Sequence, residues 1–234
     1  MLVGAGIGVV GIGVALAFIL SAGGDYSPNA NSGEPSSIPS VDSPAAARTV
    51  VNRVTLKPAD WGSGYVAEDP YETRDLTDIS VDQNCDWAVR SINDAFATLL
   101  RSSRTSDKTA FTSARTTVYK AADPARYRMS QQREALQRCP TQKSGKSRIE
   151  NVHEISIPEL KGFDEVVAEE GHQVLDENGE KVDVYYTYLT GRKANYVMTS
   201  EVDRSGTETQ EQNRNDASSA LSLMLSRLEG GASY

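Results

Sequence analysis

The sequence predicts an α+β fold: an antiparallel β-sheet with helices packed on one face, preceded by an N-terminal transmembrane helix and a disordered linker. Three observations predict it. Residues 1–24 carry no charged side chain. Residues 25–48 are rich in Ser, Pro, Asn and Ala and nearly devoid of large apolar residues. Residues 149–202 hold apolar residues in strand-like runs around an Asn-Gly turn, and segments with three- and four-residue apolar spacing flank them. The implied division is an anchor at 1–24, a linker at 25–48 and an extracytoplasmic domain at 49–230.

Leu2 to Ala22 is apolar throughout. At about 1.5 Å per residue it covers a hydrocarbon core of about 30 Å. The run exceeds the length of a signal-peptide core, about 7–15 residues, so a retained single-pass anchor is expected. Ser21-Ala22-Gly23 would serve cleavage in the alternative. No Cys follows Ala22, which excludes lipidation there, and no Lys or Arg occurs between Asp25 and Arg48. Cytoplasmic flanks retain Lys and Arg, so the flank reads as external. Gly6-Ile-Gly8-Val-Val-Gly11 imitates a dinucleotide fingerprint, but the strand that must precede it is missing. The linker cannot bury enough surface to offset chain entropy, and its prolines extend it.

From Arg48 the composition changes, and Val50, Val51, Val54 and Leu56 begin an apolar pattern. Residues 58–65 read as a turn-rich loop holding Trp61 and Tyr65. Cys85, Ala88, Ile92, Ala95, Phe96, Leu99 and Leu100 predict a helix over about Gln83 to Ser102. Val118-Tyr119 suggests a short strand. Asp123-Pro124 starts a helix that runs to about Arg138. Strands are expected over Ile149–Ile157 and over Glu165–Leu175, the latter interrupted by Gly171. Asn178-Gly179 marks a hairpin turn. Val182, Val184, Tyr186 and Tyr188 share one face of the next strand, Gly191-Arg192-Lys193 turns the chain, and residues 194–202 return. A last helix, about Glu211 to Leu228, aligns Ala217, Ala220, Leu221, Met224, Leu225 and Leu228, and Gly230-Gly231 ends it.

The net charge is −8, from 24 Lys and Arg against 32 Asp and Glu, with no basic block. Nucleic acid is therefore not expected as a partner, nor is docking of the soluble part on anionic lipid. No P-loop, G-x-S-x-G or S-x-x-K motif occurs. His153-Glu154 does not continue as a zinc motif, and the two histidines build no metal site. Asp176 to Glu180 reads as a hairpin turn, not a calcium loop. No catalytic residue, metal ligand or cofactor is assigned, and a non-enzymatic protein is expected. Cys85 and Cys139 are the only cysteines. An even count outside the cytoplasm predicts a disulfide, two buried thiols being the alternative. Trp61, Tyr65 and Tyr185 form the candidate ligand face: with helices covering the side of Val184 and Tyr186, Tyr185 lines the other. They would otherwise simply pack.

Thr55-Leu-Lys-Pro-Ala-Asp-Trp-Gly62, Asn84-Cys85, Val118-Tyr119 and Leu136-Gln-Arg-Cys139, followed by late strands and a closing helix, resemble the PknH-like extracellular sensor domain of actinobacterial receptor serine/threonine kinases and related stand-alone anchored proteins. The resemblance spans about Val50 to Leu228. It implies an antiparallel sheet and helices around a cleft that binds an unknown ligand. The kinase-linked domain usually has two disulfides, and this chain has cysteines for one. It lacks kinase catalytic motifs. The expectation is a membrane-tethered sensor or ligand-binding domain of the cell envelope, single-pass, with its soluble domain extracytoplasmic, whose partners are the membrane and an unknown envelope ligand or protein. Two alternatives stand beside it: an envelope hydrolase using acidic residues, and a structural or assembly partner of an envelope complex.

Overall fold

The computed structural model describes residues 38–145, 147–177, 180–206 and 209–230. The expected membrane segment, the linker as far as residue 37 and the Asn178-Gly179 turn lie outside the described residues. Among those described, no helix is long and apolar enough to cross a membrane.

Helix α1 (Pro44–Val54) begins inside the stretch whose composition reads as linker. The Ser43 Oγ accepts from the Ala46 amide at 3.3 Å, and Pro44 needs no amide partner at the first helical position. Ala47 is fully buried, and the Tyr196 hydroxyl donates to the Pro39 carbonyl at 2.6 Å. The folded body thus starts upstream of residue 48, because the Ala-rich run that looks like spacer is the first turn of a packed helix.

After a short 3₁₀ turn at Pro58–Asp60 come β1 (Tyr65–Thr73), β2 (Thr77–Val81), β3 (Trp87–Ser91), β4 (Ala95–Thr105) and β5 (Ala110–Tyr119). Helix α2 (Ala122–Arg138) precedes β6 (Gln142–Ser144), β7 (Ser147–Glu154), β8 (Glu165–Glu177), β9 (Glu180–Lys193) and β10 (Tyr196–Ser205), and α3 (Gln210–Glu229) closes the chain. The antiparallel sheet runs β1-β4-β5-β10-β9-β8-β7-β6, and β2-β3 form a separate hairpin.

The predicted helix over 83–102 is a correction. The segment contains β3, an Asn93-Asp94 turn and β4. Strand β4 buries residues on both faces, so apolar side chains fall at adjacent positions such as Leu99-Leu100 and imitate helical spacing. The turn expected at Gly191–Lys193 falls instead at Ala194-Asn195.

Helices cover both faces, not one. On the first, α1 and α3 bury Val51, Val54, Leu99, Leu189, Met198, Leu221, Met224 and Leu228. On the second, α2 packs Ala125, Met129 and Leu136 against Val152, Val167, Tyr186 and Val197. Two buried charges on the first face are satisfied by protein partners. Glu170, fully buried on β8, receives both nitrogens of Arg214 at 2.6 Å and the Thr187 hydroxyl at 3.0 Å. Arg101 donates to the Thr55 and Asn52 carbonyls at 2.6 and 3.3 Å, satisfying the C-terminal end of α1.

Candidate functional site

Helix α2 lies over the β7–β9 half of its face, leaving β4, β5 and β10 less covered. The β2-β3 hairpin stands beside it. Between helix, hairpin and sheet opens a cleft of about 820 Å³.

Register builds its floor. Residues two apart on a strand share a face, and directly paired residues on neighbouring strands form rows across the sheet. One row runs Ser102, Ser113, Glu201, Tyr188, Glu169 over β4, β5, β10, β9 and β8. The next holds Leu100, Arg115 and Thr199. The row on the other side holds Phe111, Asp203, Tyr186 and Gly171. All except Asp203 and Gly171 line the cleft. Trp87, Ile79 and Val81 line it from the hairpin, and Tyr127, Gln132 and Leu136 from α2.

One carboxylate clamps the walls to the floor. Asp78 accepts from Arg115 on β5 at 2.7 Å and from Arg128 on α2 at 2.5 Å. Arg115 also donates to the Thr77 carbonyl at 3.0 Å. The Cys85–Cys139 disulfide joins the hairpin turn to the residue after α2. Asp82 shapes that turn by accepting from the Asn84 and Asp86 amides at 2.7 and 3.0 Å. Cys85 thus sits in a turn with φ of +63°, not on a helix as the spacing predicts.

The floor acids are unusual. Glu201 accepts from the Ser113 hydroxyl at 2.7 Å. Glu169 accepts from Gln132 at 3.1 Å and from the Tyr186 hydroxyl at 3.2 Å. Asp203 Oδ1 is buried without a hydrogen-bond partner among the described residues. Burial pushes all three carboxyls above their ordinary range, Asp203 furthest because the Glu201 charge adds to it. Arg128 and Arg115 partly offset this at Glu169 and Glu201 respectively. Burial also pushes the Tyr188 phenol up to about 12, so it remains a neutral hydrogen-bonding group at pH 7.

None of Trp61, Tyr65 and Tyr185 lines the cleft. Trp61 packs against the α1–α3 core. The Tyr65 hydroxyl accepts from Arg204 at 3.1 Å. Tyr185 stacks on His172 with ring centroids 5.2 Å apart, and its carbonyl accepts from Asn213 of α3. The premise that helices cover only one face misplaces Tyr185: it stands on the α3 side, and Tyr186 and Tyr188 face the cleft. The sequence signal for the floor was Glu201 and Asp203 at alternate positions of a returning strand.

No protein-family model and no curated protein sequence matches the chain. Among solved structures it is similar to the extracellular domain of PknH from Mycobacterium tuberculosis, at 12% identity over 76% of this chain and 96% of that one, with a TM-score of 0.49. It is also similar to LpqN, involved in cell envelope biogenesis of Mycobacterium tuberculosis, at 17% identity over 65% of this chain and 84% of that one, with a TM-score of 0.22. The first belongs to the kind of domain that the sequence resembles. At these scores neither likeness bears on ligand or activity.

Proposed function

We propose that this chain is a membrane-tethered, extracytoplasmic, non-enzymatic domain that binds an envelope ligand in the cleft between α2, the β2-β3 hairpin and the sheet. The observation that carries the reading is the cleft. Its volume, about 820 Å³, falls in the range of small-molecule sites, and Ile79, Trp87, Leu100, Phe111 and Leu136 give it apolar surface among polar and charged side chains. The disulfide supports an oxidising compartment outside the cytoplasm.

Trp87 lines the cleft and Trp61 does not, and these are the only tryptophans. A Trp61→Phe variant of the full chain in detergent therefore makes emission a reporter of the cleft. A small-molecule set of amines, alcohols, sugars and carboxylates should contain members that shift it saturably. Ile79→Trp, at an exposed position lining the cleft, should block those members, followed by thermal shift because the added indole confounds emission. If no member saturates, or the added side chain leaves binding unchanged, the reading falls.

A second reading is hydrolysis, favoured by the raised pKa values of Glu169 and Glu201 in one cleft. Against it, both Glu169 oxygens already accept hydrogen bonds from Gln132 and Tyr186. Turnover of an envelope glycan or peptide that disappears in Glu201→Gln would replace binding by hydrolysis.

A further inference from the structure

Resting on the cleft as a binding site, we infer that its ligand is an organic cation: an ammonium or guanidinium group on an apolar or aromatic body, held where Glu201 and Glu169 flank Tyr188.

The row geometry comes first. Glu201 and Glu169 are each directly paired with Tyr188, on opposite sides of it. At about 4.8 Å between strands their backbones stand about 10 Å apart, with a phenol between them. Neither makes an ion pair among the described residues; their partners are Ser113, Gln132 and Tyr186, all neutral. Arg115 and Arg128 act on the two acids only from their places on Asp78, and a bound cation supplies the direct ion pair that both acids lack among the described residues.

The cations at the floor are already committed, while Arg138 donates to the Asp82 carbonyl and Arg90 lines the cleft from β3, away from the floor row. Arg115 and Arg128 both donate to Asp78, so an anionic ligand would find acids on the floor and no free guanidinium beside them. Gln132 adds an independent observation. It is 6% exposed and lines the cleft, its amide nitrogen donates to Glu169, and its Oε1 has no hydrogen-bond partner among the described residues. An unpartnered acceptor beside two acids suits an N–H donor. Trp87, Phe111 and Tyr188 provide aromatic surface around the same floor, which favours a cation with an apolar body. Among the described residues no three His, Cys, Asp or Glu side chains could hold a metal ion, so the fitting cation is organic.

The test keeps one body and changes its charge. Phenethylamine, 2-phenylethanol and phenylacetate are titrated against full-length Trp61→Phe protein, read by Trp87 emission. Phenethylamine should bind about tenfold or more tightly than the alcohol, the scale of one charge-assisted hydrogen bond, and phenylacetate most weakly. Glu201→Gln, and separately Glu169→Gln, should bring the amine down towards the alcohol and leave the alcohol unchanged. Two variants guard against one failing to fold. Equal binding of amine and alcohol, tighter binding of phenylacetate, or indifference to both variants overturns the cation while leaving the cleft as a site. If none of the three probes shifts Trp87, the organic cation falls on these probes, and the cleft reading is judged by its own ligand set.

Discussion

The ring of Tyr186 occupies the place where a side chain at Gly171 would begin: a Cβ on Gly171 would lie 2.5 Å from Tyr186 Cε1. The two residues are directly paired on β8 and β9, and the ring lying over Gly171 carries its hydroxyl to Glu169. A glycine that interrupts a strand pattern thereby positions a floor tyrosine.

Gly171→Ala should therefore push Tyr186 off Glu169 and cost about 1–3 kcal/mol, as overpacking does. Urea denaturation checks the cost. Gly171→Ala combined with Tyr186→Leu should lose less than the two single changes together. Strict additivity would show that the contact is not the cause.

Asp78→Ala removes the shared partner of Arg115 and Arg128, whose side chains are only 14% and 15% exposed. Leaving charges largely enclosed and unpaired should cost about 3 kcal/mol, and Trp87 emission should move as the hairpin loosens. Arg128→Met alongside Asp78→Ala should recover part of the loss in a double-mutant cycle.

The disulfide closes a loop with a sequence separation of 54 residues. The chain-entropy model gives about 4 kcal/mol for such a loop. Cys85→Ser/Cys139→Ser should lower the urea midpoint accordingly, and the unfolded, unreduced parent should titrate no free thiol. Two titratable thiols would contradict the bond.

The floor acids set a pH trend. Their carboxyls are held above the ordinary 3.8 of Asp and 4.5 of Glu, so the folded state binds protons more tightly than the unfolded one. Their contribution is fully present below those ordinary values and is lost as pH rises through the raised folded values. Asp60 acts oppositely: its hydrogen bonds from Arg227 hold it low, so its contribution is lost only as pH falls below 3.8. As pH rises above 4.5 the floor acids should thus give falling stability. Asp203→Asn should flatten the slope and raise stability on its alkaline side relative to the parent. An unchanged slope would remove Asp203 from the account.

Much of the fold was legible locally. Helix α3 was readable because six of its apolar positions face one side, and all six are buried. Helix α2 and strands β7 to β10 followed from Asp123-Pro124 and from two-residue alternation. The cysteine pair followed from count and compartment. Strand β4 was not legible, because burial on both faces erases the alternation that marks a strand.

The sequence by itself determined which side chains share a strand face, since that parity is a local property of the backbone: Tyr186 with Tyr188, and Tyr185 against them. It could not determine which face meets a helix and which opens to a cleft. That was decided by where α1, α3 and α2 dock, and by the register that draws Ser113, Glu201, Tyr188 and Glu169 from four strands into one row. Docking and register depend on contacts between segments far apart in the chain, and no local pattern encodes them.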